Sequence, residues 1–442
     1  MYNYSHGGNA AYEQKYEKKY GGKYERRRED IIDLSANINP LGMPEHVREA
    51  IIRAIPACSR YPDSLSRDLR DRIAAFEHTK PDWVFCGHGA SDIIFRLPRA
   101  LRAKKVLITA PTFSDYARSA QSCGAEIVRH VLSAPTGFTL DSGFIQAVRR
   151  DKPDLVFVCN PNNPTGQLTE SALIQELLEC CRREGAFVAV DECFLDFAEQ
   201  AADSTSKVFL ARHTNLIIIK AFTKLFALPG IRLGYALCAN PALMDNLSFH
   251  GTDWPVSNLA QAAGMAALEN AEAFLRHTVA YVSAERRMME QGLTRLGYKI
   301  FAAQANSVFL KNPYPYDLRE ELDRKGIRIR SCANYDGLDE SYFRIAVAPA
   351  QINAQVLAAV AEVTPETAAA AVRKVAQEIA PVVEPEQHAQ EVALTVDPER
   401  AQEVTPTVDP EHAQEVAPTV DPEHAQEVSP TVDPERVQEV VP

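Results

Sequence analysis

The sequence predicts an α/β protein: a large domain on a mostly parallel central sheet, a smaller α+β domain after it, and a disordered repeat tail. Three observations carry this. From Ile31 to about Val363, short β-branched runs alternate with stretches whose apolar residues recur at helical spacing, as in strands joined by helical crossovers. Near residue 270 the alternation gives way to a long helical region and then to a group of strands. After residue 363 a twelve-residue unit begins to repeat.

Residues 1–30 read as an N-terminal arm. Its opening, MYNYSHGGNAAYEQKYEKKY, is polar and lacks an apolar core, so no secretory signal is expected. The basic, Tyr-rich stretch KYEKKYGGKYERRRED reads as a solvated arm or helix. The large domain, 31–270, carries strand-like runs at 83–87 (WVFCG), 105–110 (KVLITA), 126–132 (EIVRHVL), 155–160 (LVFVCN), 187–192 (FVAVDE), 216–222 (LIIIKAF) and 232–238 (RLGYALC). Helical segments such as ESALIQELLECCRREG separate them. The small domain, 271–363 with part of the N-terminal segment, begins within a helical region predicted over 258–296. It holds strands at 299–301, 306–310, 327–330 and 342–347 and a last helix near 351–362.

The tail, 364–442, contains four near-copies of one unit over 393–440: ALTVDPERAQEV, TPTVDPEHAQEV, APTVDPEHAQEV and SPTVDPERVQEV. Each has a proline, several acids and only small apolar residues. Such a segment cannot bury enough apolar surface to offset its ordering entropy, so disorder is expected. The whole chain carries a net charge of −12, but from residue 364 onward acids outnumber bases by 13. The body is therefore close to neutral, and neither a nucleic acid nor a membrane is expected as partner. With 46% hydrophobic and 24% charged residues the composition is that of a soluble globular protein. The nine cysteines are odd in number and lack a CxxC spacing, which reads as reduced thiols in a cytoplasmic protein without a metal site.

Chemistry gathers where strands end. Lys224 follows the strand LIIIKAF, with Arg232 and a Gly-Ile-Arg-Leu-Gly turn behind it. A lone lysine after a strand is ordinarily a surface lysine; the arginine and glycines beside this one weaken that reading. Asp191 ends the apolar run FVAVD, where a carboxylate needs a charged partner or an exposed site to offset desolvation. NPNNPTG (160–166) reads locally as a turn, yet brings Asn163 to the same sheet edge. CGHGASD (86–92) puts small residues between a strand and a helix, where backbone N–H groups can hold a phosphate. Phe113, in APTFSDY, reads equally as core or as a ring stacked on a cofactor. Pyridoxal 5'-phosphate (PLP) chemistry requires such parts: a lysine, a carboxylate for the pyridine nitrogen, a phosphate cradle and a stacking ring.

Together these segments resemble the fold-type-I PLP enzymes of the class I/II aminotransferase branch, over nearly all of residues 30–360. The resemblance implies that Lys224 carries PLP as a Schiff base and later moves protons at the substrate α-carbon. It implies that Asp191 pairs with the pyridine nitrogen and that Asn163 bonds the phenolic oxygen. Ala90 and Ser91, through their backbone, with Thr223 and Arg232, would hold the phosphate, and Phe113 would stack on the ring. Tyr61, in SRYPD, matches a tyrosine that reaches the neighbouring subunit's phosphate, which implies a homodimer. Arg344, in YFRIAV, matches an arginine that binds the substrate carboxylate or another anionic end.

Within the branch, SHGGN (5–9), DLSANINPLGMP (33–44) and IRSCANYDGLDESYFRIAV (329–347) resemble the L-threonine-O-3-phosphate decarboxylases of cobalamin biosynthesis. That likeness makes His6, Asn37 and Arg330 candidates for the phosphate end of a phosphorylated amino acid, Arg330 being suited to bidentate binding. The activity it implies is decarboxylation of L-threonine O-3-phosphate to (R)-1-aminopropan-2-yl phosphate. Histidinol-phosphate aminotransferases share the remaining motifs, so an aminotransferase is the second reading; a catalytically inactive scaffold with a partner-recruiting tail is a third, of another class. Two positions stand out. Phe194 occupies a place where aminotransferases of the branch often have a tyrosine, and Ala221 one where a hydroxyl commonly joins the phosphate cradle.

Overall fold

The computed structural model describes residues 31–365. A two-residue strand, β1 (Ile32–Asp33), precedes seven strands that share one sheet: β2 (Val84–Gly87), β3 (Lys105–Ala110), β4 (Glu126–Val131), β5 (Leu155–Cys159), β6 (Phe187–Asp191), β7 (Leu216–Ala221) and β8 (Gly234–Leu237). Their order is β2-β8-β7-β6-β5-β3-β4. Only β8 runs antiparallel to its neighbours; the other pairings are parallel. All seven correspond to the predicted runs, and the fold class is as expected.

The central strands are apolar throughout because both faces of the sheet are covered. In β7, Leu216 and Ile218 pack into one core while Ile217 and Ile219 pack into the other. Val156 and Val158 of β5 face the first, and Leu155 and Phe157 the second. Helices Arg67–Phe76, Gly143–Asp151 and Ser171–Glu184 cover the first side; Ala90–Ala100, Ser114–Gln121 and Pro241–Phe249 cover the second. The edge strand β4 instead carries Glu126, Arg129 and His130, polar residues that keep an open edge from pairing further.

Beyond residue 270 come β9 (Lys299–Phe301), β10 (Ser307–Lys311), β11 (Ile327–Arg328), β12 (Arg330–Ser331) and β13 (Tyr342–Ala346). Four of them form an antiparallel sheet in the order β12-β13-β10-β9. Helices Ala271–Arg295 and Ala350–Val363 pack on it around Leu293, Leu310, Phe343 and Val356.

Two local readings are refined, and one element was not anticipated. The helical region predicted over 258–296 holds two helices, Asn258–Ala267 and Ala271–Arg295, separated where Asn270 adopts a left-handed φ of 57°. Asparagine tolerates that conformation better than most residues, and the chain turns there. The strand predicted at 327–330 switches partners at Ile329: β11 pairs with β1, and β12 with β13. β1 itself was not anticipated, since two residues carry no readable period. Among the described residues no helix is long and apolar enough to cross a membrane. The arm (1–30) and nearly all of the repeat tail lie outside the described residues.

Candidate active site

Parallel strands deliver their carboxyl ends to one edge of a sheet, and loops leaving that edge form a crevice. Here β2, β3, β5, β6 and β7 all end beside a cavity of about 280 Å³. Asn37, Ala90, Ser91, Phe113, Asn163, Asp191, Thr223, Lys224, Arg232, Arg330 and Arg344 line it. Eleven residues singled out by sequence therefore meet in one place.

Lys224 sits in a single helical turn, Phe222–Leu225, directly after β7. Its amine lies 5.5 Å from the centre of the Phe194 ring. Burial, with Arg344 and Arg232 nearby, pulls its pKa down to about 8. A neutral amine is thus readily available, as a nucleophile or proton carrier requires.

Asp191 closes β6 and is buried. Burial pushes its carboxyl up, while hydrogen bonds from Cys193 and Tyr116 act against that. Oδ2 accepts from the Tyr116 hydroxyl at 2.6 Å and Oδ1 from the Cys193 backbone N–H at 3.0 Å. Among the described residues its hydrogen-bond donors are neutral, and the Lys224 amine acts on it only through space. A protonated ring nitrogen would give this buried carboxylate a direct counter-charge.

The loop after β5 carries Asn163. Its Oδ1 accepts from Arg344 Nη1 at 2.5 Å and from the Tyr335 hydroxyl at 3.4 Å. With the oxygen engaged, the NH2 half of the amide is the donor left for the cavity. Arg344, on β13, also donates from Nη2 to the Ser35 carbonyl at 2.8 Å.

The phosphate cradle is set by close backbone approach. A Cβ on Gly234 would lie 2.4 Å from the Ala90 nitrogen, and one on Gly89 would lie 2.7 Å from Arg232 Nη2. Gly89 also has a φ of 80°. Bare backbone there brings the Arg232 guanidinium to the start of helix Ala90–Ala100, whose first N–H groups have no carbonyl acceptor within the helix. The Ser91 hydroxyl donates to Asp115 at 3.1 Å, which leaves the Ser91 backbone N–H as the donor able to face an anion. The residues present fit PLP: an amine, a carboxylate without a direct counter-charge, an amide donor and an anion cradle surround one cavity.

Of the two remaining predicted residues, one lies elsewhere and one outside the described residues. Tyr61 is 77% exposed and stacks on Trp254 with ring centres 4.3 Å apart, away from the cavity. His6 lies outside the described residues. The sequence reading did not single out Tyr116 or Tyr335. Tyr116 stands one helical turn after Phe113, a spacing that placed it beside a residue already suspected. Tyr335 lies inside the segment 329–347, but no local signal distinguishes it.

Comparison with known proteins gives the following. The family model described as aminotransferase class I and II matches residues 29–363. The chain is 33% identical to the threonine-phosphate decarboxylase of Salmonella typhimurium over 337 residues, 76% of this chain and 92% of that protein. It is 30% identical to the histidinol-phosphate aminotransferase of Limosilactobacillus fermentum, over 77% of this chain and 92% of that one. Among solved structures, the histidinol-phosphate aminotransferase from Clostridium acetobutylicum aligns with a TM-score of 0.71 at 29% identity, covering 76% of this chain and 99% of that one.

Proposed function

This chain belongs to the aminotransferase class I and II family, and from that premise we propose that it decarboxylates L-threonine O-3-phosphate to (R)-1-aminopropan-2-yl phosphate for cobalamin biosynthesis. The family is PLP-dependent. One observation carries the choice of a phosphorylated amino acid. Arg330 and Arg344 are direct partners across β12 and β13, and both line the cavity. Like charges at opposed positions repel, and a substrate with two anionic ends relieves that repulsion. On this reading Arg344 takes the carboxylate and Arg330 the phosphate, with Asn37 and His6 at the phosphate end.

PLP, when bound, supplies a conjugated sink for the electron pair of whichever α-carbon bond stands perpendicular to its ring. Lys224 Nζ would hold the cofactor and is the group placed to move a proton at the substrate α-carbon. Asp191 would keep a proton on the ring nitrogen, and Asn163 would donate to the phenolic oxygen. Phe113 would cover one face of the ring. The N–H groups of Ala90 and Ser91, the Thr223 hydroxyl and Arg232 would hold the cofactor phosphate. Anchoring both ends of the substrate sets which bond is perpendicular, and remote binding energy fixes that angle. Tyr61 projects outward from this subunit, in keeping with a role at a partner's site in a homodimer.

An aminotransferase is the second reading, supported by the 30% identity to a histidinol-phosphate aminotransferase. Incubation with threonine phosphate, with and without 2-oxoglutarate, separates the two. The decarboxylase releases CO2 without the oxo acid; glutamate formed only in its presence points to transamination. Absence of a visible PLP band after reconstitution rules out both.

A further inference from the structure

Loop 332–341, between β12 and β13, is fastened to the far edge of the large sheet. Arg129 Nε on β4 donates to Asp336 at 2.5 Å. A Cβ on Gly337 would lie 3.6 Å from the Ala110 carbonyl oxygen at the end of β3. Between these two points Tyr335 is buried, its ring packed with Leu132, Phe138, Phe309 and Cys332. The guanidinium carbon of Arg330 lies over that ring, 5.4 Å from its centre, and Arg330 Nη2 donates to Asn334 at 2.8 Å. On the cavity side the Tyr335 hydroxyl donates to Asn163 Oδ1 at 3.4 Å, the atom that also accepts from Arg344.

One side chain therefore touches both ends of the cavity. We infer that Tyr335 is a specificity-determining positioning residue: its ring aims Arg330 at the substrate phosphate, and its hydroxyl helps hold the Asn163 amide in the orientation that turns its NH2 to the cofactor. The first half rests on the phosphorylated-substrate reading; the second does not. A planar guanidinium over an aromatic face loses rotational freedom, so less ordering remains to be done when an anion arrives. An asparagine amide can present either its oxygen or its nitrogen, and a second donor on Oδ1 biases that choice. At 3.4 Å this contact is longer than a tight hydroxyl bond, so its effect is modest.

The test uses the PLP-loaded full chain and two variants, Tyr335→Phe and Tyr335→Leu. Dissociation constants for threonine phosphate and for threonine are read from the change in the cofactor's absorbance on binding, and the visible band of the unliganded protein is titrated with pH. Tyr335→Leu is expected to lower the preference for the phosphorylated ligand by about 5- to 30-fold, the size of a cation–π contact, with threonine affinity within about twofold. Tyr335→Phe keeps the ring but removes a hydrogen-bond acceptor for Arg330, so it is expected to lower that preference less than Tyr335→Leu does and to move the midpoint of the band upward by about half a pH unit, as one weakened neutral hydrogen bond predicts. Equal weakening of both ligands in Tyr335→Leu overturns the role of the ring. An unmoved midpoint in Tyr335→Phe overturns the role of the hydroxyl, and that measurement stands even where the leucine variant does not fold. A wild-type protein with no preference for threonine phosphate overturns the substrate reading and the ring's role with it, while the midpoint still decides the hydroxyl's.

Discussion

Tyr116 and Asp191 meet through a 2.6 Å hydrogen bond in which a buried phenol donates to a buried carboxylate. The two come from different elements: Tyr116 from helix Ser114–Gln121, Asp191 from the end of β6. The tyrosine ring is itself held by stacking on Phe157 of β5, with ring centres 4.7 Å apart. Donor and acceptor are thus both positioned by the packed core, and the Asp191 carboxylate cannot turn away from the cavity without losing that bond.

Tyr116→Phe tests what this bond does. The variant keeps the stacked ring and removes the donor, so the fold is retained while Asp191 becomes harder to ionise. A hydrogen bond to a charged group is worth about 1.5–3 kcal/mol. We expect kcat to fall about tenfold, the lower end of that range, with KM for the amino-acid substrate within about twofold. Steady-state kinetics and a melting curve check this; a KM rise at unchanged kcat points instead to a role in substrate binding.

Lys224 gives the protein without cofactor a distinctive pH dependence. Its folded pKa, about 8, lies below the ordinary lysine value of 10.5. Between those values the unfolded chain binds more protons than the folded one, so stability rises with pH across that window. Below pH 8 the full cost of a buried ammonium is present. Lys224→Met removes it, and the cofactor-free variant is expected to exceed wild type by about 3 kcal/mol at pH 7, from 1.36 kcal/mol per pKa unit. The difference shrinks towards pH 10.5. Urea unfolding at pH 7 and pH 10 measures it, and a gap that does not narrow shows that lysine ionisation is not its source.

How legible these features were follows from where their partners lie. β5, β6 and β7 were readable because a strand buried on both faces must be apolar along its whole length, and Asp191 and Lys224 stood out as charges at the ends of such runs. Asn163 and Arg232 were found through motifs, and the cavity joins them. The bond between Tyr116 and Asp191 had no local signal, since it depends on how β6 lies beside a helix from an earlier crossover. The pairing of Arg330 with Arg344 needed the register of β12 on β13, and a two-residue strand does not declare its register. The break at Asn270 was hidden because apolar residues continue at helical spacing on both sides.

Gly234 carries a prediction about the phosphate cradle. A Cβ there would meet the Ala90 nitrogen at 2.4 Å and the Gly89 carbonyl carbon at 2.6 Å. Both are backbone atoms, so Gly234→Ala must push the start of helix Ala90–Ala100 away from Arg232. Such overpacking costs about 1–3 kcal/mol. Retention of PLP is expected to weaken about 30-fold, matching the middle of that range, as measured by dialysis and the residual visible band. Full retention shows that the helix does not hold the cofactor phosphate.

Beneath the site lies a buried ionic cluster that the sequence did not announce. Glu77 receives Lys220 Nζ at 2.9 Å and Lys207 Nζ at 2.6 Å, and the Tyr235 hydroxyl donates to it as well. Lys220 also pairs with Asp196 at 3.0 Å. Burial pushes the Glu77 carboxyl up, but the two lysines outweigh it and hold the pKa at about 2, below the ordinary glutamate value of 4.5. Its contribution is therefore fully present above pH 4.5 and is lost as the pH falls through 2. Glu77→Gln leaves Lys220 buried with one carboxylate fewer, and removing one member of a buried pair costs about 3–5 kcal/mol. We expect a loss of that size in urea unfolding at pH 7, shrinking as the pH falls from 4.5 towards 2, because the unfolded wild-type chain then binds a proton at Glu77 that the folded chain does not. Lys220 lies in β7, and Lys224 in the helical turn that directly follows it, so activity should fall with stability. A stability loss under about 1 kcal/mol at pH 7, the range of an exposed ion pair, means the cluster does not behave as a buried one.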